Sequence, residues 1–212
     1  MAGMSSQLDV IAITETSEQV DTLFISNVNL TGYKHFHTPT SSRKGGSALY
    51  VNSNYDVFER VDLKAQNELF ETVWIEIKNK FSKNILCASV YRHPKSDLSD
   101  FPMLDIISKE NKEAYICGDF NIDLLKLDEN SSYLTFYNLL CSNGFLPLII
   151  HPTRVVDNQS PSLIDNIFTN NISDDISSGN IYFILSEHFS QFATVNHEKI
   201  DCKKINIFER FF

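Results

Sequence analysis

The sequence lacks long apolar runs, closely spaced cysteine pairs and a basic charge balance. None of its apolar runs approaches the ~18 residues that a membrane-spanning helix needs, so no membrane span is expected. Its first residues have neither a basic start nor an apolar core, which argues against a secretory signal. The four cysteines show no C-x-x-C spacing, so we expect free thiols in a reducing compartment and no zinc site. These absences predict an intracellular protein that does not enter a membrane.

The chain has enough apolar and aromatic residues for a folded core. Of its 212 residues 42% are apolar, and the 16 Phe and 8 Tyr argue against disorder. The net charge of −9 argues mildly against tight, non-specific binding of nucleic acid, although a basic rim could still surround an acidic site. Because no internal repeat or low-complexity linker divides the chain, we expect one domain over residues 8–196, then a tail or linker over residues 197–212.

The apolar pattern predicts many strands and few helices. Residues 70–77 alternate in polarity, which is typical of a half-buried strand, whereas residues 84–91 are nearly all apolar and predict a strand covered on both faces. Helices are expected over residues 99–112 and from Ser131 or Ser132 to Gly144. We therefore predict two packed sheets flanked by helices. Further strands are expected over residues 8–13, 33–37, 47–51, 114–118, 145–150, 163–168 and 192–195, with a polar loop over residues 170–180.

One predicted strand, within residues 114–123, ends in a glycine followed by two polar side chains. On an extended backbone Asp119 and Asn121 would point to the same side. A carboxylate and an amide at the end of a buried strand are costly unless they are used, but an ordinary Asx-type turn explains the pair equally well. Two later segments, around Asp165 and His188, favour a functional site.

Six polar groups lie at predicted strand ends or in the turns that follow them. Their chemistry fits metal-assisted hydrolysis of a phosphodiester. A hard cation held by carboxylates neutralises the phosphate, and a histidine oriented by an aspartate contacts it. A second carboxylate moves a proton to or from water, while asparagine and tyrosine donate hydrogen bonds to phosphoryl oxygens. The six are Glu15, Tyr91, Asp119, Asn121, Asp165 and His188.

Two other stretches have an ordinary and a functional interpretation. The basic turn that ends in Gly45 and Gly46 lacks the spacing of a P-loop or a dinucleotide site. It is either a plain turn or a loop that contacts phosphate. His35 and His37 could bind a metal, but two exposed histidines beside a turn are the simpler interpretation.

Seven short motifs follow one another between about residues 8 and 196. They are Ile13–Thr16, Gly45–Val51, Val90–Arg92, Gly118–Asn121, Pro152–Arg154, Ser162–Phe168 and Ser186–Phe189. In this order they resemble the endonuclease/exonuclease/phosphatase superfamily, and most of all the apurinic-type endonuclease domain of LINE-type (non-LTR) retrotransposons. The resemblance implies a four-layer α/β sandwich of two packed mixed β-sheets flanked by helices. It also implies an enzyme that nicks DNA with Mg²⁺, with Mn²⁺ as the alternative cofactor.

The resemblance further implies catalytic and metal-binding roles. Glu15 and Glu187 would hold the metal ion. Asp119 would activate the attacking water or protonate the leaving group. His188, oriented by Asp165, would contact the scissile phosphate.

Residues that bind the substrate are implied in the same way. Asn121 and Tyr91 would bind the phosphate, and other side chains would contact the DNA. For the hydroxyl groups among these, capping of nearby backbone is an equally good interpretation. The expected substrate contacts are Thr153, Arg154, Ser186, Arg92 and Arg43.

The sequence departs from the family pattern in two places. Family members begin with another strand, which precedes the counterpart of Leu8. That strand ends in an asparagine at the metal site. The seven residues before Leu8 contain no asparagine, so we expect that strand and ligand to be missing, which would expose a sheet edge. The family's Ser-Asp-His is here Ser186-Glu187-His188. The extra methylene moves the carboxylate by about 1.5 Å, and such misplacement can cost about 100-fold in rate.

Three hypotheses about function remain open at this point. The first is a Mg²⁺-dependent DNA endonuclease of retrotransposon origin that leaves a 3′-hydroxyl primer. The second is a catalytically inactive, truncated relic of that domain, which the absent asparagine and Glu187 favour. The third is a small-molecule phosphoesterase on the same fold. A nuclear location follows from the family role only, and no protein partner is predicted.

Overall fold

The computed structural model describes residues 8–17, 29–40, 44–79, 82–94, 101, 103–173, 175–182, 186–195 and 205–211. Arg43, an expected substrate contact, lies outside these ranges. The helices are α1 (Met103–Lys109) and α2 (Ser131–Ser142), with short 3₁₀ turns at Val61–Leu63 and Leu124–Lys126. The strands are β1 (Val10–Thr14), β2 (Tyr33–Thr38), β3 (Ser47–Asn52), β4 (Val57–Glu59), β5 (Ala65–Gln66), β6 (Phe70–Ile77), β7 (Ile85–Arg92), β8 (Glu113–Asp119), β9 (Leu146–Pro147), β10 (Asp165–Thr169), β11 (Ile176–Ile181), β12 (Ser190–Val195) and β13 (Ile205–Phe211).

The strands form two mixed sheets. The six-stranded sheet has the order β11-β12-β13-β1-β3-β2, and its one parallel pair is β13 with β1. The seven-stranded sheet has the order β4-β6-β7-β8-β10-β9 with β5 beside β6, and its parallel pair is β7 with β8. The predicted α/β fold of two packed mixed sheets is therefore confirmed.

Apolar side chains form two cores, one on each face of the seven-stranded sheet. Strand β6 contributes to both, because Val73 and Ile75 face the other sheet whereas Trp74 faces the helices. Each fully buried large apolar side chain contributes roughly 1.5–3 kcal/mol of burial free energy. Both described helices pack on the outer core, for example through Ile107 and Phe136. In the part of the chain described, no helix is long and apolar enough to cross a membrane.

Strand β6 is buried along its whole length, so the half-buried strand expected from its alternation is wrong. Both glutamates of this strand are buried: Glu71 is 1% exposed and Glu76 is 3% exposed. Glu76 is paired with Arg60 at 2.9 Å and with Lys112 at 2.8 Å. Charged partners inside the fold, rather than water, therefore satisfy this carboxylate.

Several element boundaries differ from expectation. The segment predicted as a polar loop contains β11, because pairing with β12 satisfies its backbone despite its polar side chains. The strand expected over residues 145–150 shortens to β9. Asn130, rather than Ser131 or Ser132, caps α2, since its side chain accepts hydrogen bonds from the backbone of Ser132 and Tyr133.

Residues 205–211, which we expected to lie in a C-terminal tail, form β13 between β1 and β12. In register, Ile207 pairs with Val10 on one side and with Ala193 on the other. The edge of β1 that we expected to be exposed by a missing first strand is thus covered by a strand from later in the chain. The mixed polarity of this segment concealed a short alternation, with Ile205 and Ile207 around Asn206.

Candidate active site

A row of four polar side chains crosses the seven-stranded sheet. Glu71 of β6 is paired in register with Tyr91 of β7, Tyr91 with Asp119 of β8, and Asp119 with Asp165 of β10. Register-paired residues project from the same face of a sheet, and here that face is turned toward the six-stranded sheet. Since neighbouring strands lie ~4.8 Å apart, each member of the row is close to the next.

The end of β8 is shaped by a glycine and an asparagine. A Cβ atom on Gly118 would lie 1.9 Å from the carbonyl oxygen of Val90, so only glycine allows this approach of β8 to β7. Asn121 adopts a left-handed backbone with φ of 50°, which asparagine tolerates. Its backbone N–H donates to Oδ1 of Asp119 at 2.9 Å. An Asx-type turn and a carboxylate of the row therefore occur together at this strand end.

His188 and Asp165 form a histidine–carboxylate pair at one end of the row. Nδ1 of His188 lies 3.1 Å from Oδ1 and 3.0 Å from Oδ2 of Asp165. Asp165 is fully buried, and the His188 side chain is 16% exposed. Because Nδ1 is engaged by the carboxylate, the orientation of the imidazole ring is fixed.

Two groups of the site titrate away from their usual pKa values. Burial raises the pKa of Asp119 well above its usual value, and the charge of Asp165 adds to this effect against the opposing attraction of His188. For His188 burial alone would lower the pKa. The hydrogen bond and charge of Asp165, with the charge of Asp119, outweigh burial and raise it. Both groups therefore hold their protons more tightly than in water.

Glu15 reaches the row from the six-stranded sheet. It follows the end of β1 with a left-handed φ of 54°, and it is half-buried. The hydroxyl of Tyr91 donates to Oε1 of Glu15 at 3.2 Å. Burial raises the pKa of Tyr91, and the negative charges of Glu15 and Asp119 raise it further, so the hydroxyl stays protonated and can donate.

The donor atoms fit a hard divalent cation. Asp119, Asp165 and His188 each offer one ligand atom, and these atoms all lie within 4.8 Å of one another. Glu15 is close enough to Asp119 to raise the pKa of that carboxyl through its charge. Such buried, mutually repelling carboxylates are stabilised by a cation, and carboxylate oxygens suit Mg²⁺ or Mn²⁺. The site can therefore hold a metal ion, although its atoms do not select Mg²⁺ over Mn²⁺.

Some predicted contacts are directed elsewhere in the structure. Arg92 is 2% exposed, and its Nη1 donates to the carbonyl oxygen of Phe120 at 3.2 Å, so it supports the turn after β8. The side-chain amide of Asn121 donates to the carbonyl oxygen of Arg92 at 2.8 Å. Glu187, an expected metal ligand, is 56% exposed and pairs with Arg154 at 2.7 Å. Like Glu15, it is not one of the three side chains of the ligand cluster found among the described residues.

The two predicted hydroxyl contacts cap backbone groups. Oγ1 of the buried Thr153 accepts hydrogen bonds from the N–H groups of Ile164 at 3.2 Å and Asp165 at 3.1 Å. Oγ of Ser186 accepts from the N–H of His188 at 3.1 Å and donates to its carbonyl oxygen at 2.8 Å. Thr153 and Ser186 thus fix the backbone of the segments that carry Asp165 and His188.

Glu71 is the member of the row that the sequence did not indicate. Its Oε2 accepts a short hydrogen bond from the N–H of Gly46, so the glycine turn contacts a carboxylate of the protein itself. The interpretation as a plain turn is therefore favoured over a phosphate loop. The sequence offered only a glutamate near the start of a largely apolar strand, a position that the alternation assigned to a half-buried strand.

The paired histidines of β2 are packed rather than arranged around a metal. The rings of His35 and His37 stack with centroids 5.1 Å apart, and His35 also stacks on Tyr50 at 4.5 Å. Burial and the neighbouring His37 lower the pKa of His35 to about 4, so it stays neutral. Within the described ranges no third metal-binding side chain joins them.

Comparisons with known proteins reveal a shared fold at low sequence identity. Neither the protein-family models nor the curated proteins give a match. Among solved structures, the endonuclease domain of TRAS1, a telomere-specific non-LTR retrotransposon, has 16% identity and a TM-score of 0.61. That match covers 86% of this chain and 95% of the TRAS1 domain.

Other similar structures have different activities. A 3′ phosphatase from Neisseria, solved with a product DNA hairpin, has 14% identity and a TM-score of 0.59 over 85% of this chain and 86% of its own. A nitrophorin from Cimex, solved as a ferrous nitric oxide complex, has 12% identity and a TM-score of 0.53 over 87% of this chain and 85% of its own. Similarity at this level of identity concerns the fold alone. The chain has the same fold as the TRAS1 endonuclease domain and as an endonuclease/exonuclease/phosphatase family protein from Leptotrichia buccalis.

Proposed function

We propose that this chain is a metal-dependent phosphodiesterase that nicks DNA. The observation that carries the proposal is the meeting of two sheets at one site. The row on the seven-stranded sheet brings Asp119 beside the His188–Asp165 pair, and Glu15 arrives from the six-stranded sheet. A buried proton-transfer carboxylate, an oriented histidine and a second carboxylate are the groups that phosphodiester hydrolysis needs.

Each residue has a role that follows from its surroundings. Asp119 exchanges a proton with the attacking water or the leaving group, a role that suits a buried carboxyl of raised pKa. His188 contacts the phosphate, and Asp165 holds its ring. Tyr91 donates its hydroxyl toward the same region, and Asn121 keeps the turn in place.

Glu15 is proposed to hold the divalent cation with the help of Asp119. When bound, Mg²⁺ or Mn²⁺ would neutralise negative charge on the phosphate. The chain's own contribution is to present oxygen ligands from both sheets, with Asp119 buried and Glu15 half-buried.

DNA is proposed as the substrate because of the resemblance to retrotransposon endonucleases and the shape shared with the TRAS1 domain and the DNA-bound phosphatase. A retrotransposon origin, a 3′-hydroxyl product and a nuclear site of action belong to the same proposal. The described residues supply little of the expected basic rim, since Arg92 is buried and Arg154 is paired with Glu187. We therefore expect weak DNA binding without the metal ion.

A second candidate is a catalytically inactive domain. It is favoured by Glu187, an expected metal ligand whose side chain is exposed and pairs with Arg154. Because the fold is common to both candidates, only activity separates them.

Nicking of supercoiled plasmid with Mg²⁺ tests the proposal. Asp119→Asn should lower the rate by about 100-fold or more, and His188→Ala should lower it comparably. The matched control is Asp128→Asn, an exposed carboxylate in the turn before α2, which should leave nicking unchanged. Folded wild-type protein that nicks no faster than Asp119→Asn, and that hydrolyses no bis-p-nitrophenyl phosphate, would establish the inactive domain. Hydrolysis of bis-p-nitrophenyl phosphate without nicking would establish a small-molecule phosphoesterase.

A further inference from the structure

We propose that Glu71 is a positioning residue that holds the Glu15 loop, and hence the metal-binding carboxylate, in place. The inference rests on the proposed function, in which Glu15 binds the cation. It starts from an unexplained feature: Glu71 carries a carboxylate on a strand that is otherwise packed between two cores, and it is 1% exposed. A buried carboxylate is costly unless specific partners use it.

The partners of Glu71 lie on two sides. Its Oε2 accepts the N–H of Gly46, and its Oε1 lies 3.6 Å from Nε2 of His93. The His93 ring in turn packs edge-on against Tyr91, with centroids 5.0 Å apart. The carboxylate therefore joins the glycine turn before β3 to the strand that carries Tyr91.

The glycine turn transmits this contact to the Glu15 loop. A Cβ on Gly45 would lie 2.3 Å from Oε2 of Glu71, and a Cβ on Gly46 would lie 2.3 Å from Oγ1 of Thr16. The turn is thus enclosed between Glu71 and the residue after Glu15. Both glycines are required, because both also have a positive φ.

A hydrogen bond completes the link. The N–H of Ser17 donates to the carbonyl oxygen of Gly45 at 2.9 Å. Glu15 and Ser17 both have left-handed backbones, with φ of 54° and 53°, which residues other than glycine adopt only when surrounding contacts hold them. Glu71 is therefore connected to Glu15 through the glycine turn.

Glu71 is also connected to Glu15 through Tyr91. Tyr91 is the register partner of Glu71, and its hydroxyl donates to Glu15 at 3.2 Å. Glu15 is accordingly held on one side by Tyr91 and on the other by the loop that Glu71 anchors. Removing Glu71 should release the loop side and leave the Tyr91 contact to act alone.

The test combines two measurements on Glu71→Gln and Glu71→Ala. Calorimetric titration with Mn²⁺ should show 10–100-fold weaker binding, the usual effect of losing a residue that supports a ligand. Amide hydrogen exchange by NMR, recorded without metal, should be faster at Gly46 and Ser17. The smaller effect is expected for Gln, which keeps an oxygen for the Gly46 N–H.

The matched control is Glu76→Gln, a carboxylate on the same strand that is equally buried but pairs with Arg60 and Lys112. It should lower stability without changing Mn²⁺ affinity or the exchange of Gly46 and Ser17. Wild-type affinity and exchange in both Glu71 variants, or the same changes in the control, would overturn the inference. If wild-type protein binds no Mn²⁺, the proposed function fails, and the exchange of Ser17 alone decides the role of Glu71.

Discussion

At the scale of single residues, the raised pKa values of Asp119 and His188 make the stability of the metal-free protein depend on pH. A group whose folded pKa lies above its unfolded value stabilises the fold below the unfolded pKa, and this contribution is lost as pH rises through the folded pKa. The unfolded values are about 3.9 for Asp and 6.5 for His. Both groups therefore stabilise the folded protein more at acidic pH than at higher pH.

We expect the free energy of unfolding of the metal-free protein to fall between pH 5 and pH 8. Each unit of upward pKa shift corresponds to about 1.4 kcal/mol. Asp119→Asn removes the buried charge that repels Asp165, so the variant should be the more stable protein at pH 8 and should show a weaker pH dependence. Urea denaturation at the two pH values measures both effects. An equally steep dependence in the variant would contradict the assignment to Asp119.

Gly118 gives a steric prediction at the same scale. In Gly118→Ala the new Cβ would meet backbone atoms of Val90, at 1.9 Å from the oxygen and 2.8 Å from the carbon. Because the backbone of two paired strands cannot move aside easily, we expect a loss above about 4 kcal/mol or failure to fold. Gly144→Ala is the control: it has a φ of +82° but no atom within 4 Å. That variant should lose only about 1 kcal/mol in urea denaturation.

At the scale of elements, one threonine ties together the segments that carry the histidine–carboxylate pair. Thr153 accepts two N–H groups at the start of β10 through its hydroxyl. Its carbonyl oxygen also accepts the N–H of Phe189 at 2.7 Å, directly after His188. The loop before β10 and the loop before β12 are therefore positioned by the same residue.

Thr153→Val should disrupt this arrangement with almost no change in shape. It leaves the buried N–H groups of Ile164 and Asp165 without an acceptor, at a cost of about 1–3 kcal/mol for each group. Thr153→Ser keeps the hydroxyl and should recover most of the loss. Urea denaturation compares the two variants. Nicking should follow the same order, and equal stability of the Val and Ser variants would exclude the capping role.

The elements also show what sequence reasoning can reach. The existence of strands such as β6 and β7 can be predicted from the order of apolar residues, and Gly118 and Asp119 indicate the end of β8. The register between neighbouring strands cannot be predicted in this way, because it depends on pairing between segments that are distant in the sequence. For that reason the row joining Glu71 to Asp165 was not predictable. Local polarity also suggested that Arg92 would contact the substrate. Its guanidinium is instead buried and donates to backbone carbonyl oxygens, a contact that no sequence pattern displays.

At the scale of the whole molecule, the site depends on how the two sheets face each other. Glu15 lies on one sheet and its partner Tyr91 on the other. A second link, from the hydroxyl of Ser89 to the carbonyl oxygen of Ile13 at 3.0 Å, lies beside it. The apolar core between the sheets fixes their spacing, so any change that separates the sheets separates the ligands. Integrity of the six-stranded sheet is thus a condition for the site.

Strand β13 is the part of that sheet most open to test. A chain ending at residue 204 would leave β1 and β12 without the strand between them. Their unpaired N–H and C=O groups would then face solvent or another copy of the chain. We expect the shortened chain to unfold at lower urea concentration and to self-associate during gel filtration.

Hydrogen exchange read by mass spectrometry locates the effect. Amides of β1 and β12 should exchange faster in the shortened chain, whereas those of β2, which pairs only with β3 in the described sheet, serve as the internal control. Equal exchange of β1 in the two chains would mean that residues 205–211 are the tail that their polarity suggested. Faster exchange confined to β1 and β12 would mean instead that β13 supplies the hydrogen-bonding partner of both strands. Because Glu15 directly follows β1, β13 would then also support the Glu15 loop.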